Sequence, residues 1–249
     1  MGQIDPDSPV PKYFQLREIL LELIETDELP IGAAIPSERD LSQRYSLSRM
    51  TVRQAVDHLV SEGRLNRIAG KGTFVARPKL EMALALTSFS EDMRARGLDP
   101  GSRDLDRRVI RASAHLAREL CIEPGDRVHF IERLRTADGE PLCIERSHIP
   151  IALAPDLASI DLTGRSLYRI LRSRYGISPD AGEQTIDAGI ADPSDADLLK
   201  LNRGSAVLLL QRRSYASGTC IELVVSTYRA DRYQLRTVLE MPRKGAATR

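Results

Sequence analysis

The segment from Ser48 to Gly63 constrains the N-terminal part of this chain more than any other. Ser48 is a natural N-cap, and Gly63 stands where a helix closes just past its C-cap. Between them Val52, Ala55, Val56 and Leu59 share one face, while Arg49, Met50, Arg53, Gln54 and Asp57 share the other. Arg49 and Arg53 are four positions apart and stack on one exposed ridge near the helix N-terminus. A packed back with long cationic donors at the leading end suits a helix that enters the major groove and forks onto guanine O6 and N7.

The flanking residues predict its partners. A first helix begins at Pro11, which suits the first helical position, and Leu16, Ile19, Leu20, Leu23 and Ile24 form its apolar stripe. Pro36 and Ser37 open a short second helix, with Ser37 as cap, Leu41 facing inward and a stop near Tyr45 and Ser46. After the third helix, residues 64–68 and Thr73-Phe74-Val75 form a hairpin over Gly70-Lys71-Gly72, whose two glycines let the backbone approach phosphate or the minor groove. The net charge of +1 says nothing about nucleic acid, but residues 37–79 hold nine Lys or Arg against four acids. That confined excess is a footprint for a polyanion.

Over Pro36-Ser-Glu-Arg-Asp-Leu, Ser48-Arg-Met-Thr-Val-Arg-Gln-Ala, Leu59-Val-Ser-Glu-Gly and Gly70-Lys-Gly-Thr-Phe-Val the chain resembles the winged helix-turn-helix domain of the GntR family of transcriptional regulators. The likeness runs from Lys12 to Lys79. It implies that Arg39, Arg49, Arg53 and Gly70 contact DNA and that Ser48, Thr51 and Lys71 contact phosphate. Core burial is the competing reading for Thr51. It further implies a homodimer on a two-fold symmetric double-stranded operator, one half-site per protomer.

Residues 1–76 are expected to form this domain, 77–82 a linker, and 83–249 an effector-binding and dimerisation domain. In the last part Ala83 to Thr87 is a strand candidate, and Ser88 to Glu91 is a capping box opening a helix that closes at Gly97. Arg127–Ala137 and Leu142–Ile149 flank Asp138-Gly139, while Val207–Tyr215 and Ile221–Arg229 flank Ser217-Gly218; both read as hairpins. Helices are expected over Ser166–Tyr175 and from Asp192. The fold class is therefore α+β: a mixed, mainly antiparallel sheet with flanking helices behind the N-terminal domain.

An anion site is legible within it. Arg133 and Arg135, two apart on a strand, point to the same face. Ser88, Phe89 and Ser90 lie at a helix N-terminus, where free N–H groups favour phosphate or carboxylate. Glu222 and Tyr228 share a strand face and suit sugar hydroxyls or an amine. The competing readings are a helix cap for Ser88, ion pairs on a solvated strand for the arginines, and core packing for Tyr168. Glu145 depends on register. A two-residue turn at Asp138-Gly139 pairs Arg133 with Ile144, whereas a three-residue loop with a bulge pairs it with Glu145, as a pocket requires.

Residues 80–242 resemble the UTRA effector domain of the HutC subfamily, with a chorismate-lyase-like fold, over Leu86-Thr-Ser-Phe-Ser-Glu-Asp-Met-Arg-Ala-Arg-Gly, Ile131-Glu-Arg-Leu-Arg, Gly139-Glu-Pro-Leu, Ser166-Leu-Tyr and Tyr228-Arg-Ala-Asp-Arg-Tyr. Glu145, Ser166, Tyr168, Glu222 and Tyr228 match the subfamily's ligand positions. The likeness is strongest to regulators of N-acetylglucosamine use, which implies a small anionic effector such as glucosamine-6-phosphate or N-acetylglucosamine-6-phosphate, acting on a repressor. Alternatives are a chorismate-lyase-like enzyme and a non-specific architectural DNA-binding protein. No GxSxG elbow or metal-ligand spacing supports catalysis, and His58, His115, His129 and His148 are scattered. No cofactor or metal is expected. Aromatic residues are 4% with no Trp, too few for a single-strand stacking platform. No apolar run spans a bilayer and no signal pattern opens the chain, so a cytoplasmic, nucleoid-associated protein is expected, with Cys121, Cys143 and Cys220 as buried thiols.

Overall fold

The computed structural model describes residues 2–68, 70–82, 85–235 and 237. The chain divides into two compact units, Met1–Leu80 and Glu81–Arg249.

The first unit holds helices α1 (Lys12–Glu25), α2 (Glu38–Tyr45) and α3 (Arg49–Ser61) and the antiparallel strands β1 (Leu65–Ile68) and β2 (Gly72–Val75). Pro11 is the N-cap of α1 rather than its first helical residue, and its carbonyl accepts from the Phe14 and Gln15 amides. Ser37 and Ser48 cap α2 and α3 by accepting from the amides of Asp40 and Thr51. Ser46, at φ 53, turns the chain between α2 and α3, and Gly63, at φ 69, ends α3. Leu16, Leu20, Leu41, Val52, Ala55, Val56, Leu59, Leu65 and Val75 close one core. Truncating a residue as buried as Leu59 costs about 2–5 kcal/mol.

The second unit is built on strands β4 (Pro100–Arg111), β5 (Arg127–Ala137), β6 (Glu140–Pro150), β7 (Ala181–Ile190), β8 (Ala206–Ala216) and β9 (Thr219–Arg229), in spatial order β4-β5-β6-β9-β8-β7. The mainly antiparallel sheet expected is present, and its mixed character narrows: every pairing among the six strands is antiparallel. Strands β3 (Leu80–Met82) and β10 (Tyr233–Leu235) make a separate two-stranded sheet. The strand expected over 83–87 is displaced toward the N-terminus. Positions 83 and 84 lie outside the described residues, while Ala85 and Leu86 are bends leading to the Ser88 cap.

An internal duplication organises this unit. Moving 79 positions along the chain carries Arg127–Ala137 onto Ala206–Ala216 and Glu140–Pro150 onto Thr219–Arg229. Helix α5 (Ala114–Leu120) likewise corresponds to α7 (Pro193–Leu198), and both are followed by a left-handed residue, Cys121 and Lys200. The remaining helices, α4 (Phe89–Ala95, capped by Ser88) and α6 (Leu167–Tyr175, capped by Ser166), cover the face of the sheet that carries Ile131, Arg135 and Ile149. On the opposite face α5 packs on Val128 and Leu223, and Asp195 of α7 pairs with Arg146. Cys143 and Cys220 are buried, but Cys121 is exposed, because its left-handed position past α5 turns it outward.

A two-residue turn and a bulge together set the hairpin register. Asp138 and Gly139 form a two-residue turn with both φ positive, 49 and 77, closed by the pair Ala137 and Glu140. A bulge between Arg135 and Thr136 leaves Leu142 unpaired, and Arg133 then faces Glu145. The expected pairing is obtained, but from a short turn plus a bulge rather than a three-residue loop. Ser217-Gly218 repeats it, with the bulge at Ile221 and Ser214 opposite Glu222.

Candidate functional site

In the first unit Arg39, Ser48, Arg49, Arg53, Gly70 and Lys71 are all exposed, and Thr51 is half-buried. The α3 ridge therefore points to solvent, with Met50 70% exposed between the two arginines. The ridge is not a row of free cations. Arg53 donates from Nε and Nη2 to Oε2 of Glu38, at 3.2 and 3.0 Å, linking α3 to α2. Arg67 on β1 reaches the same carboxylate at 3.4 Å and Asp57 at 2.8 Å. Exposed pairs of this kind are worth only about 0–1 kcal/mol, so DNA phosphates or base edges can replace them. Neither Glu38 nor Arg67 was singled out from the sequence as a member of this exposed surface. Their pairing joins residues far apart in sequence and carries no local periodic signal.

Ser48 spends its hydroxyl locally. Its oxygen accepts from the Thr51 amide at 3.1 Å and lies 2.8 Å from Thr51 Oγ1. Gly70 has φ 73 and open space where a Cβ would sit, so the requirement there is backbone conformation rather than packing.

The second unit gathers the predicted anion residues on the sheet face beneath α4 and α6. Glu145 Oε2 accepts from Arg135 at 2.6 Å and from Arg133 at 3.1 Å, and all three side chains are buried. The arginines thus pair with an acid, but inside the protein rather than on a solvated strand. Arg135 also donates to Ser90 Oγ at 2.9 Å and lies 4.5 Å from the centre of the Phe89 ring. Ser88 and Ser166, the caps of α4 and α6, meet through their hydroxyls at 3.3 Å. Tyr168 donates to Glu222 at 2.8 Å, lies 2.9 Å from Ser214 Oγ and also packs in the core, so pocket and core readings both apply to it. Tyr228 stands apart. It lines a neighbouring cavity with Thr87, Asp92 and Gln184, its ring meeting Tyr233 edge-on at 4.8 Å. Arg212, absent from the sequence reading, lines the pocket as well.

Burial works against the charge on Glu145, but Arg135 and Arg133 outweigh it and hold its carboxyl below the usual range. Burial, reinforced by Glu222, pushes the Tyr168 phenol up, so it remains a donor. The Nε–H groups of Arg133, Arg135 and Arg212 are sealed from solvent with no hydrogen-bond partner. A sealed donor without an acceptor costs about 1–3 kcal/mol. All three residues line one cavity. Among the described residues no cluster of His, Cys, Asp or Glu could hold a metal ion, and no helix is long and apolar enough to cross a membrane.

The sequence profile of the gntR family of bacterial regulatory proteins matches residues 12–75, and that of the UTRA domain matches residues 95–234. The HTH-type transcriptional repressor NagR of Bacillus subtilis is 41% identical over 233 residues, covering 92% of this chain and 95% of that protein. The HTH-type transcriptional repressor PhnF of Mycolicibacterium smegmatis is 34% identical over 214 residues, 86% of this chain and 87% of that protein. The crystal structure of PhnF from Mycobacterium smegmatis superposes with a TM-score of 0.66 at 33% identity, covering 90% of this chain and 98% of that one. These relatives are regulators, which sets the enzyme alternative aside. The chain belongs to the gntR family of bacterial regulatory proteins, in the HutC-type branch that carries a UTRA domain behind its helix-turn-helix.

Proposed function

We propose that this regulator is a cytoplasmic, nucleoid-associated repressor that binds a two-fold symmetric operator as a homodimer and leaves it when an amino-sugar phosphate fills the second unit. Residues 1–76 form its DNA-binding domain, 77–82 its linker and 83–249 its effector and dimerisation domain. Arg39, Arg49, Arg53 and Gly70 read the operator, with Ser48, Thr51 and Lys71 at phosphates. Ser88, Phe89, Ser90, Arg133, Arg135, Glu145, Ser166, Tyr168, Glu222 and Tyr228 hold the effector.

Three arginines whose sealed Nε–H groups lack a partner line a cavity that also offers Glu145 and Glu222, and they carry the effector reading. Guanidinium forks suit a phosphate, and carboxylates suit sugar hydroxyls or an ammonium group. Similarity to NagR supports the amino-sugar assignment, and its description as a repressor supports the direction of control. The test takes an operator selected from random duplexes and follows its release by fluorescence anisotropy. Glucosamine-6-phosphate or N-acetylglucosamine-6-phosphate should release it at concentrations where the unphosphorylated sugars do not. Silence from both phosphosugars rejects the effector assignment, and equal affinity for every duplex rejects operator reading.

A further inference from the structure

We infer that Arg212 is a third anion-reading guanidinium of the effector pocket, the duplicate of Arg133, an inference that rests on the effector reading above. The 79-residue shift that carries β5 onto β8 carries Arg133 onto Arg212. Both line the same cavity, one from each half of the duplication.

The two copies differ in what neutralises them. Arg133 stands opposite Glu145 in register and pairs with it at 3.1 Å. Arg212 stands opposite Val224, because the carboxylate of this half sits at Glu222, the counterpart of Cys143. Glu222 in turn accepts from Tyr168. Among the described residues Arg212 makes no ion pair. Its hydrogen-bond partner is the Tyr168 hydroxyl at 3.3 Å, and its Nε–H is sealed without an acceptor. Arg212 is half-buried, and its sealed Nε–H stays unsatisfied unless an acceptor completes it.

The cavity walls carry Arg133, Arg135 and Arg212 against Glu145 and Glu222, an excess of one positive charge. Cavity size makes Arg212 central. The inner cavity, about 20 Å³, has room for little more than a water. Two neighbours adjoin it: about 40 Å³ beside Phe89 and Tyr228, and about 150 Å³ beside Ala85 and Gln184. Arg212 lines all three. A sugar phosphate is larger than the inner space and must join these cavities, which brings its anionic oxygens or ring past Arg212. The ligand class is a phosphate monoester, or another oxyanion of that size, received between Arg133 and Arg212 with the capping serines 88 and 166 beside it.

The test is calorimetric titration of the full chain and its Arg212→Gln, Arg212→Lys and Arg133→Gln variants with glucosamine-6-phosphate, N-acetylglucosamine-6-phosphate and unphosphorylated N-acetylglucosamine. Operator affinity of the same samples reports folding. Arg212→Gln should weaken phosphosugar binding at least tenfold, as Arg133→Gln does. Arg212→Lys, which keeps the charge but loses the fork, should fall between it and the unaltered chain. If Arg212→Gln does not fold, Arg212→Lys decides: a loss of at least threefold supports the role, and unchanged affinity overturns it. Arg212→Gln binding within twofold of the unaltered chain, while Arg133→Gln is weakened, removes Arg212 and leaves the effector reading standing. No phosphosugar binding by the unaltered chain overturns both.

Discussion

At the scale of single residues, Arg53 shows how one side chain serves two partners. Free of DNA it lies against Glu38, its side chain 54% exposed, in a pair too wet to matter for stability. Arg53→Ala should therefore leave the melting temperature unchanged yet weaken specific operator binding by about 1–3 kcal/mol per half-site and relax one base position. Competition binding against operators mutated one position at a time measures both; a uniform loss across all of them would make Arg53 a phosphate contact instead. His129 behaves differently because it is sealed. Its Nε2 lies 2.8 Å from the Ala154 carbonyl, so that nitrogen carries the proton. Burial lowers its pKa, against the opposing pull of that carbonyl. The stabilisation is fully present above the unfolded value of about 6.5 and is lost as pH falls toward the depressed folded value. Denaturation midpoints should drop between pH 7 and pH 5, and His129→Gln should flatten that slope; an identical slope in the variant would remove His129 as its source.

At the scale of elements, the legible parts were those with local signals. Ser37, Ser48, Ser88 and Ser166 announce helices because a hydroxyl before an apolar period satisfies orphan amides, and each does so here. Asp138-Gly139 and Ser217-Gly218 announce hairpins because both positions need positive φ. The bulges at Leu142 and Ile221 had no such signal, since an aliphatic residue in a strand carries no mark of being unpaired, yet they turn Glu145 and Glu222 into the pocket. Arg212 was missed for a related reason: on its own it is one arginine in a mixed strand, and only alignment of the chain with itself sets it beside Arg133. The duplication also predicts equal energetics at equivalent turns. Gly139 and Gly218 have φ 77 and 79 and open space at the Cβ position, so alanine pays only the left-handed backbone penalty, about 1–2 kcal/mol at either site. Denaturant titration of Gly139→Ala and Gly218→Ala should give matching losses. A several-fold difference between them would mean that one turn is held by something beyond its backbone.

At the scale of the whole molecule, each unit closes a core of its own, so control by an effector rests on coupling between two folded bodies rather than on folding. The coupling energy required is small. A tenfold change in operator affinity needs only about 1.4 kcal/mol of difference between the effector's affinities for the two states. One sealed guanidinium donor that finds its acceptor in only one state supplies about 1–3 kcal/mol, enough without rearranging the sheet. Thermodynamic linkage makes this testable without knowing the path between the units. Whatever factor the effector takes from operator affinity, saturating operator must take from effector affinity. Titrating glucosamine-6-phosphate into the protein alone and into the protein–operator complex should give dissociation constants that differ by the factor seen in operator release. Complete exclusion of the phosphosugar from the complex, with operator affinity falling without limit as more is added, would mean that it competes at the DNA surface itself. The pocket beneath α4 and α6 would then not be the regulatory site.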